Sequence, residues 1–492
     1  MWLVPHILAL DEGTTSARAA LYDDRGRRLA MQSQPFACTY PQPGWVEQDA
    51  EEIWRAQLDC ARRLLHDRMV RADALGITNQ RETTIVWDRA TGRAIAPAVV
   101  WQCRRTADYC GELALSKMAA TVTAKTGLEI DAYFSGSKIR WILDSVPDAR
   151  SRARNGDLLF GNVDTWLIWK LTNGATHVTD VSNASRTMLM NLGSGEWDPE
   201  LLDLFDIPAA MLPRIVPSSG VVAETAPEHL GVPVPIAGIA GDQQAALAGQ
   251  ACFRPGLSKN TYGTGCFALM HTGGLQPVSR NRLLATRAAS TSEQAQFAIE
   301  GSVFVAGAAV QWVRDQLKLI ATAAESEAIA ASVRDTGGVY LVPAFVGLGA
   351  PYWNSTAKGM ISGMTLGTGS AEIVRATLES IAYQTRDLIE AMQADTGEHL
   401  KELRVDGGAS ANNFLMQFQA DILGCRIVRP ADVETTALGA AYLAGLATGI
   451  WKSTAELEQF WAVDRVFEPA ISADQRESLY AGWKTAVARA LS

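Results

Sequence analysis

Apolar and polar positions alternate along almost the whole chain in patterns that predict both strands and helices. Residues 50–70 carry apolar side chains at helical spacing and predict an amphipathic helix. Residues 7–10 and Pro235–Gly241 are short apolar runs that predict buried strands, and a carboxylate follows each of them. Residues 437–451 are uncharged but fall short of the roughly 20 residues needed to span a bilayer, so they predict a closely packed internal helix.

Two segments in opposite halves of the chain share a pattern of strand, tight turn and strand. In the first, Asp11 ends the predicted strand, and the Gly-Thr-Thr-Ser turn at 13–16 leads into the apolar run 17–22. In the second, a polar strand leads into the Gly-Thr-Gly turn at 263–265 and another apolar run. We interpret the pair as an internal duplication whose halves meet near residue 250.

These turns are candidates for binding phosphate. Glycine-rich turns expose backbone amides that attract anions, and Asp11 can hold a magnesium ion through water. A third turn, at 407–408, follows the predicted strand at 403–406 and precedes a predicted helix start. One such turn alone is also typical of an ordinary hairpin tip. Three of them, each directly after a predicted strand, favour a nucleotide site between two similar halves.

Asp242 is the strongest candidate for a catalytic group. It follows an apolar predicted strand, and ligands of open α/β sheets bind at the carboxyl ends of strands. Asp is also a favoured N-cap, so the residue can instead, or in addition, cap the helix predicted over 243–250. Arg81 and Glu82 lie between two predicted strands, where they can donate and accept hydrogen bonds to one polyol or simply form a solvated loop.

Composition narrows the class of protein. The chain of 492 residues is 48% hydrophobic and 20% charged, which is typical of a globular enzyme. A net charge of -9 argues against a general nucleic-acid binder. The seven cysteines are odd in number and lack Cys-x-x-Cys spacing, so they predict reduced thiols in a cytoplasmic protein rather than a disulfide framework or zinc site.

Longer segments make the chain resemble the FGGY carbohydrate kinases of the actin-like ATPase fold and, among them, the glycerol kinases. The resemblance is carried by residues 76–87, 100–105, 241–247, 260–267 and 404–408. It implies an α/β protein of two duplicated actin-like (ribonuclease H-like) domains, each with a mixed central sheet. The expected domains are 1–250, for glycerol and phosphate binding, and 251–492, for nucleotide binding, with the ATP and substrate cleft between them.

The resemblance also implies an activity, the ATP-dependent phosphorylation of glycerol to sn-glycerol 3-phosphate in glycerol catabolism. Asp242 would be the general base, and Asp11 would hold Mg²⁺ through water. The residues expected to hold glycerol are Arg81, Glu82, Trp101, Tyr133, Asp242, Gln243 and Phe267. The residues expected to bind the phosphates and the rest of ATP are Thr14, Thr15, Ser16, Arg18, Thr264, Gly307, Gln311, Gly408 and Asn412. A cytoplasmic homodimer or homotetramer, with hinge-type closure of the two halves, is the expected assembly.

Three alternative functions remain open, and the sequence departs from the family pattern at three places. The alternatives are another FGGY kinase acting on a ketopentose or tetritol, an actin-like ATPase without a small substrate, and a silent binding protein. Glu12 stands where the family usually has Gln, and Leu366 stands where an Arg is common. The loop 228–231 lacks the Gly-Gly-Lys-Gly-Gly-Thr-Arg run that some members use for fructose 1,6-bisphosphate. We therefore expect no strong inhibition by that sugar.

Overall fold

The computed structural model describes residues 4–291, 294–354 and 356–492. Residues 1–3, at the start of the first predicted domain, lie outside the described residues. The elements of the N-terminal half are β1 (Ile7–Glu12), β2 (Ser16–Tyr22), β3 (Arg28–Pro35), β4 (Glu47–Gln48), α1 (Ala50–Arg68), β5 (Ala74–Asn79), β6 (Ile85–Asp88), β7 (Ala98–Val99), α2 (Ala107–Ala114), α3 (Ala119–Thr126), α4 (Ser135–Ser145), α5 (Ala149–Arg154), β8 (Leu158–Gly161), α6 (Val163–Leu171), β9 (Val178–Asp180), α7 (Val181–Ala184), β10 (Met190–Asn191), β11 (Glu196–Trp197), α8 (Pro199–Phe205), β12 (Arg214–Val216), β13 (Ser219–Glu224), α9 (Pro227–Leu230), β14 (Pro235–Gly241) and α10 (Asp242–Gly249).

The C-terminal half continues the alternation of strands and helices. Its elements are β15 (Ser258–Tyr262), β16 (Cys266–Gly273), β17 (Leu284–Arg287), β18 (Phe297–Val303), α11 (Gly307–Asp315), α12 (Glu325–Ala331), β19 (Tyr340–Val342), β20 (Met360–Ser362), α13 (Ser370–Thr396), β21 (Glu402–Asp406), α14 (Asn413–Leu423), β22 (Arg426–Pro430), α15 (Thr435–Ala447), α16 (Thr454–Phe460), β23 (Val463–Phe467) and α17 (Ala473–Leu491).

Each half is built around a mixed sheet, and the two sheets share their central topology. The N-terminal order is β13-β14-β5-β1-β2-β3, with β1 antiparallel to β2 and parallel to β5. The C-terminal order is β17-β18-β16-β15-β21-β22-β23, with β15 antiparallel to β16 and parallel to β21. In both sheets the antiparallel pairing extends one strand further on one side and the parallel pairing one strand further on the other. The predicted duplication and α/β fold class are confirmed.

The first hairpin shows why these strands read as continuous apolar runs. In β1, Leu8 and Leu10 pack into the cluster around α1, while Ile7 and Ala9 pack against α15 on the opposite face. Successive side chains of a strand alternate between faces, and both faces of this sheet are covered by helices. Since neither face meets water, the strand needs apolar residues at every position until Asp11.

Helix α15 belongs to the C-terminal half but lies on the N-terminal sheet, where it crosses α10. An added Cβ at Gly439 would lie 1.8 Å from the Ala245 carbonyl oxygen, and one at Gly249 would lie 1.9 Å from the Thr435 carbonyl oxygen. Glycine alone permits backbones to approach this closely. The closely packed internal helix predicted in residues 437–451 is confirmed as far as Ala447, where α15 ends, and the crossing joins the two halves.

Other predictions from the pattern can be compared with the structure element by element. The helix predicted over 50–70 is α1, capped by Asp49, whose side chain accepts a hydrogen bond from the Glu51 amide. The helix start predicted after the turn at 407–408 is that of α14, which begins at Asn413 after an intervening 3-10 turn (Gly408–Ala411). All seven cysteines lie in the described part of the chain and are free, as expected. Within the same part, none of the helices is long and apolar enough to cross a membrane.

The helix crossing yields a stability prediction. Gly439→Ala should lower the free energy of unfolding by more than about 3 kcal/mol, because the new methyl group would overlap a backbone carbonyl. Gly111→Ala is the matched control, since no atom lies within 4 Å of its added Cβ. The free energy of unfolding of this control should instead rise by about 0.5–1 kcal/mol, because alanine has a higher helix propensity than glycine. Urea unfolding followed by circular dichroism measures both, and equal stability of the two variants would contradict the close crossing.

Candidate functional site

The candidate site lies where three neighbouring strands of the N-terminal sheet end. Strands β1, β5 and β14 run parallel to one another, so their carboxyl ends meet at one edge of the sheet. Asp11 lies near the end of β1, Arg81 and Glu82 follow β5, and Asp242 follows β14. Residues from distant parts of the sequence are thereby brought together at the edge where such sheets bind ligands.

Asp242 is the first residue of α10 and faces Arg81. Its Oδ1 lies 3.1 Å from Arg81 Nε, and the same oxygen accepts a hydrogen bond from the Gln243 amide at 2.8 Å. About a third of the Asp242 side chain is exposed, whereas Arg81 is almost fully buried. The N-cap position belongs to Gly241, so Asp242 binds the first turn without being the capping residue. A partly exposed carboxylate held by a buried guanidinium is suited to accept a proton from a bound hydroxyl.

Trp101 and Tyr133 form an aromatic wall beside this pair. Their rings meet edge to face with centroids 5.5 Å apart, and the Tyr133 hydroxyl accepts a long, 3.5 Å hydrogen bond from Arg81 Nη2. Trp101 Nε1 donates a hydrogen bond of 2.9 Å to Thr14 Oγ1. The wall is therefore bonded directly to the first glycine-containing turn.

The turn itself closes tightly and presents hydroxyls. The Gly13 amide donates to the Ser16 carbonyl at 3.0 Å, and the side chain of Thr15 at the tip is exposed. Thr14 and Ser16 are partly exposed beside it. Arg18 lies opposite Asp11 on β2 and donates to its Oδ2 at 3.2 Å. This arrangement offers three hydroxyls, a cation and exposed backbone at one corner of the cleft.

Asp11 and Glu12 differ in their roles because they lie on opposite faces of β1. Burial raises the pKa of Asp11 to about 6 against the opposing charge of Arg18. Burial, followed by the charge of Asp11, raises the pKa of Glu12 well above its usual range, and neither of its oxygens has a hydrogen-bond partner among the described residues. Asp11 is therefore paired with a cation at the turn, whereas the burial of Glu12 without a partner favours its protonated form.

The donor set around Asp11 fits one kind of metal ion. Nowhere in the described ranges do three or more His, Cys, Asp or Glu side chains form a cage for an ion. A single buried carboxylate beside a turn that presents hydroxyls fits Mg²⁺, which keeps several waters and takes its remaining ligands from substrate phosphates.

The second turn is built into the start of α11. The Thr264 carbonyl accepts hydrogen bonds from the amides of Ala306 and Ala308 at 2.9 and 3.0 Å, and the Gly307 amide donates to the Gly263 carbonyl at 3.0 Å. An added Cβ at Gly307 would lie 2.5 Å from that carbonyl oxygen. Gln311 is exposed one helical turn further along α11. Thr264 and Gly307 therefore lie together at the start of α11, with Gln311 on the next turn of that helix.

The third turn lies beside the second. An added Cβ at Gly407 would lie 2.6 Å from the Tyr262 carbonyl oxygen, so the diglycine turn touches the end of β15. Gly408 is exposed, and an added Cβ there would meet no atom within 4 Å. Asn412 caps α14 by accepting from the Leu415 amide at 2.9 Å and donates to Ser326 Oγ at 3.2 Å. Its side chain is therefore already engaged, and only its backbone and outer edge are left for a ligand.

Lys259 connects the two halves of the site and was missed by the sequence interpretation. Its ammonium donates to the Gln243 side-chain oxygen, to Thr261 Oγ1 at 2.8 Å and to the Phe267 carbonyl at 3.2 Å. Burial lowers the pKa of Lys259 to about 8. Gln243 and Phe267, both expected at the substrate, are therefore held by one buried amine.

Two further buried charges were missed, Arg186 and Glu300. Glu300 pairs with Arg81, and Arg186 pairs with both Glu82 and Glu300. Each was visible in the sequence as a single charged residue within an apolar stretch, at 297–303 and 184–190. A lone charge in such a stretch is expected to have a partner, because unpaired buried charges are costly. Leu366, by contrast, is fully exposed, and nothing in the described structure assigns it a contact.

Comparison with known proteins gives a consistent result. The profile of the N-terminal domain of the FGGY family of carbohydrate kinases matches residues 6–249, and that of the C-terminal domain matches residues 258–448. A protein of Symbiobacterium thermophilum named glycerol kinase is 59% identical over 488 residues, which cover 99% of this chain and 98% of that protein. The crystal structure of Plasmodium falciparum glycerol kinase with ADP has a TM-score of 0.94 and 35% identity, with 99% of each chain covered. A xylulose kinase of Lactobacillus acidophilus, at 22% identity, a TM-score of 0.89 and 99% coverage of each chain, shares the fold.

Proposed function

The chain belongs to the FGGY family of carbohydrate kinases, and we propose that it transfers the γ-phosphate of ATP to glycerol to form sn-glycerol 3-phosphate. The observation that carries the proposal is the 2.9 Å hydrogen bond between Trp101 and Thr14. It ties the wall of a small polyol site to a turn suited to phosphate, so the acceptor hydroxyl and the phosphate would meet at one point. The names of the full-length relatives support glycerol as the polyol.

In the proposed reaction, the Asp242 carboxylate takes the proton of the attacking hydroxyl. The new bond joins the hydroxyl oxygen to the γ-phosphorus, and the bond from that phosphorus to the bridging oxygen of ADP breaks. A hydroxyl has a very high pKa, so the base is most useful late, when the proton is already leaving. Arg81, 3.1 Å away, holds the carboxylate in position without taking part in bond making.

Glycerol would be held by complementary donors and acceptors. Arg81 donates, Glu82 accepts, and the Tyr133 hydroxyl and Gln243 amide can do either. Trp101 and Phe267 would cover the carbon backbone of glycerol. A three-carbon polyol has little apolar surface, so apolar contacts alone would not distinguish it from a longer sugar. Selectivity would come from the small size of this enclosure. It would also come from polar groups of the site that a poorly fitting sugar leaves without a hydrogen bond.

The nucleotide would lie across both halves. Thr14, Thr15, Ser16 and Arg18 would bind the β- and γ-phosphates from the N-terminal turn. From the C-terminal half the remaining contacts would come from Thr264, Gly307, Gln311, Gly408 and Asn412. Phosphoryl transfer depends on positioning and charge neutralisation more than on covalent chemistry, and turns with exposed amides and a fixed arginine supply both.

Asp11 would hold Mg²⁺ through water, beside the phosphates. When bound, the ion neutralises charge on the phosphate oxygens. Arg18 is the one cation bonded to the Asp11 carboxylate among the described residues, and its guanidinium would then share that role. The buried setting of Asp11 strengthens its attraction for a cation, because fewer water dipoles screen the charge.

Closure of the two halves, at 1–250 and 251–492, would exclude water and limit wasteful hydrolysis of ATP. We also propose that the protein acts in the cytoplasm as a homodimer or homotetramer, as the resemblance implies. Small-angle scattering with and without glycerol and ATP would measure both the closure and the assembly. An unchanged radius of gyration would contradict the closure.

Replacing the proposed base should strongly lower turnover. Asp242→Asn should lower kcat with glycerol by about 10²–10⁴-fold, since the amide cannot accept the proton, while the KM for ATP changes little. ADP release measured with a coupled assay gives both constants. Asp474→Asn, which makes the same change at an exposed position in the first turn of α17, is the matched control and should keep wild-type kinetics.

The same assay tests the choice of substrate. Wild-type protein should turn over glycerol and not xylulose, ribulose or erythritol. Turnover of one of these instead, abolished by Asp242→Asn, would replace glycerol but retain the base. ATP hydrolysis that is equally fast without any polyol and in Asp242→Asn would contradict both the kinase activity and the base.

The bond between the aromatic wall and the phosphate turn yields a separate prediction. Trp101→Phe keeps a ring but removes the N–H donor to Thr14, so kcat/KM should fall by about two- to tenfold, the cost of one neutral hydrogen bond. The KM for ATP should rise as well as that for glycerol, because the bond restrains the turn that would bind phosphate.

The control for this variant is Trp197→Phe, which loses a comparable bond, from Nε1 to the Pro213 carbonyl at 2.8 Å, at a site outside the proposed cleft. It should leave both KM values at the wild-type level. Unchanged kinetics in Trp101→Phe, or equal losses in both variants, would show that the Trp101–Thr14 bond does not serve the reaction.

A further inference from the structure

Five charged side chains form one continuous chain of contacts behind the candidate site. The order is Asp242, Arg81, Glu300, Arg186 and Glu82, and the charges alternate in sign along it. Arg81 binds Glu300 with both of its terminal nitrogens, at 2.5 and 2.9 Å. Arg186 donates from Nε to Glu82 Oε1 at 2.6 Å and from Nη2 to Glu300 Oε1 at 3.2 Å. Glu300 thus joins the two arginines through one carboxylate.

Burial makes this geometry difficult to change. The side chains of Arg81, Glu82, Arg186 and Glu300 are each at most 2% exposed. Burial opposes ionisation of Glu300, but Arg186 and Arg81 outweigh it and lower the pKa of Glu300 to about 2. It is therefore an anion at neutral pH, and separating it from either arginine would leave an unpaired charge away from water, which is strongly destabilising.

Glu300 also connects the two halves of the protein. It lies in β18 of the C-terminal sheet, opposite Leu269 of β16, whereas Arg81 and Arg186 belong to the N-terminal half. Its side chain is completely buried, and its carboxylate is occupied by the two arginines. Its influence on the site must pass through the arginines that it contacts.

Glu82 shows how the backbone and side chain of one residue are held by different partners. Its φ of 59° is a conformation that non-glycine residues rarely adopt. Its carbonyl accepts hydrogen bonds from Lys138 Nζ and Ser135 Oγ, each at 3.2 Å, which hold the backbone. Its carboxylate is held by Arg186. A change at Arg186 should therefore release the carboxylate and leave the backbone in place.

We propose that Glu300 and Arg186 are positioning residues for the polyol, in that Glu300 fixes the guanidinium of Arg81 and Arg186 fixes the carboxylate of Glu82. This inference rests on the proposed function, which assigns Arg81 and Glu82 to the substrate. Because Glu300 comes from the other half, the polyol site is complete only while β18 contacts it. The bidentate Glu300 contact sets the plane of the Arg81 guanidinium, so that Nε is directed at Asp242 and Nη2 at Tyr133.

The test compares Glu300→Gln and Arg186→Lys with wild-type protein. Glu300→Gln keeps the shape but removes the charge and one acceptor for Arg81. Arg186→Lys keeps the charge, but a single ammonium cannot reproduce the planar fork that reaches two carboxylates. In both, the KM for glycerol should rise about ten- to a hundredfold, the loss expected for a hydrogen bond to a charged group, while the KM for ATP stays within about twofold.

Asp387→Asn is the matched control for neutralising a buried carboxylate in the C-terminal half. Asp387 accepts hydrogen bonds from the Tyr480 hydroxyl at 2.6 Å and Trp483 Nε1 at 2.9 Å, within a helix packing that does not involve Arg81 or Glu82. It should lower stability without changing the KM for glycerol. Circular dichroism determines the folded fraction of every variant, so that kcat is calculated per folded protein, while KM does not depend on that fraction.

The possible results of this comparison either support the positioning role or contradict it. A selective rise in the glycerol KM of folded Glu300→Gln or Arg186→Lys supports the positioning role, and a wild-type glycerol KM in the folded variants overturns it. If Glu300→Gln does not fold, Arg186→Lys decides alone. If wild-type protein phosphorylates another polyol, the proposed substrate is wrong, and the same comparison made on that polyol decides the positioning role.

Discussion

The close crossing of α10 and α15 is the constraint on which the rest of the structure depends. Helix α15 comes from the C-terminal half, yet it covers the N-terminal sheet and leaves no room for a side chain at Gly439 or Gly249. Helix α10 begins with Asp242, so the crossing that joins the halves also fixes the element that carries the proposed base. Small residues are needed there because any Cβ would separate the helices and move the start of α10.

Buried ion pairs also join the two halves within the candidate site. Proposed substrate ligands would ordinarily be flexible side chains at a cleft, but here Arg81 and Glu82 are buried and paired with opposite charges from two directions. The chain of alternating charges passes from Asp242 in one half to Glu300 in the other. Each buried charge depends on its neighbours to remain ionised, so the site behaves as one unit rather than as separate residues.

Much of the fold could be predicted from the sequence because the signals were local. The hairpin around 13–16, the strand Pro235–Gly241 and the helix at 50–70 each follow from a pattern within a short window. The 3-10 turn after Gly407 could not be predicted, because Asn412 rather than the glycines sets where α14 begins. An N-cap and a turn can form at the same few residues, and the spacing of the glycines does not show at which residue the helix begins.

The sequence predicted some residues of the candidate site and missed others, again because only local patterns are visible in it. Asp11 and Asp242 follow apolar strands and are evident from sequence. Arg81 and Glu82 were possible polyol ligands between two predicted strands, and the resemblance favoured that interpretation and added Trp101. Glu300, Arg186 and Lys259 were missed, although Glu300 and Arg186 are each a lone charge in a largely apolar stretch. A lone charge in an apolar stretch indicates that an oppositely charged partner exists. It does not identify that partner, because the residues that pair with Glu300 lie more than 100 positions away in the chain.

The most direct test of the account is a crystal structure of the protein with glycerol and a non-hydrolysable ATP analogue. The measured quantities are the distances from the terminal glycerol hydroxyl to the Asp242 carboxylate and to the γ-phosphorus. The account predicts a hydrogen bond of about 3 Å to Asp242, with the same oxygen facing the γ-phosphorus and Arg81 still bonded to Glu300. Glycerol bound away from Asp242, or a γ-phosphate far from the turn at 13–16, would contradict it.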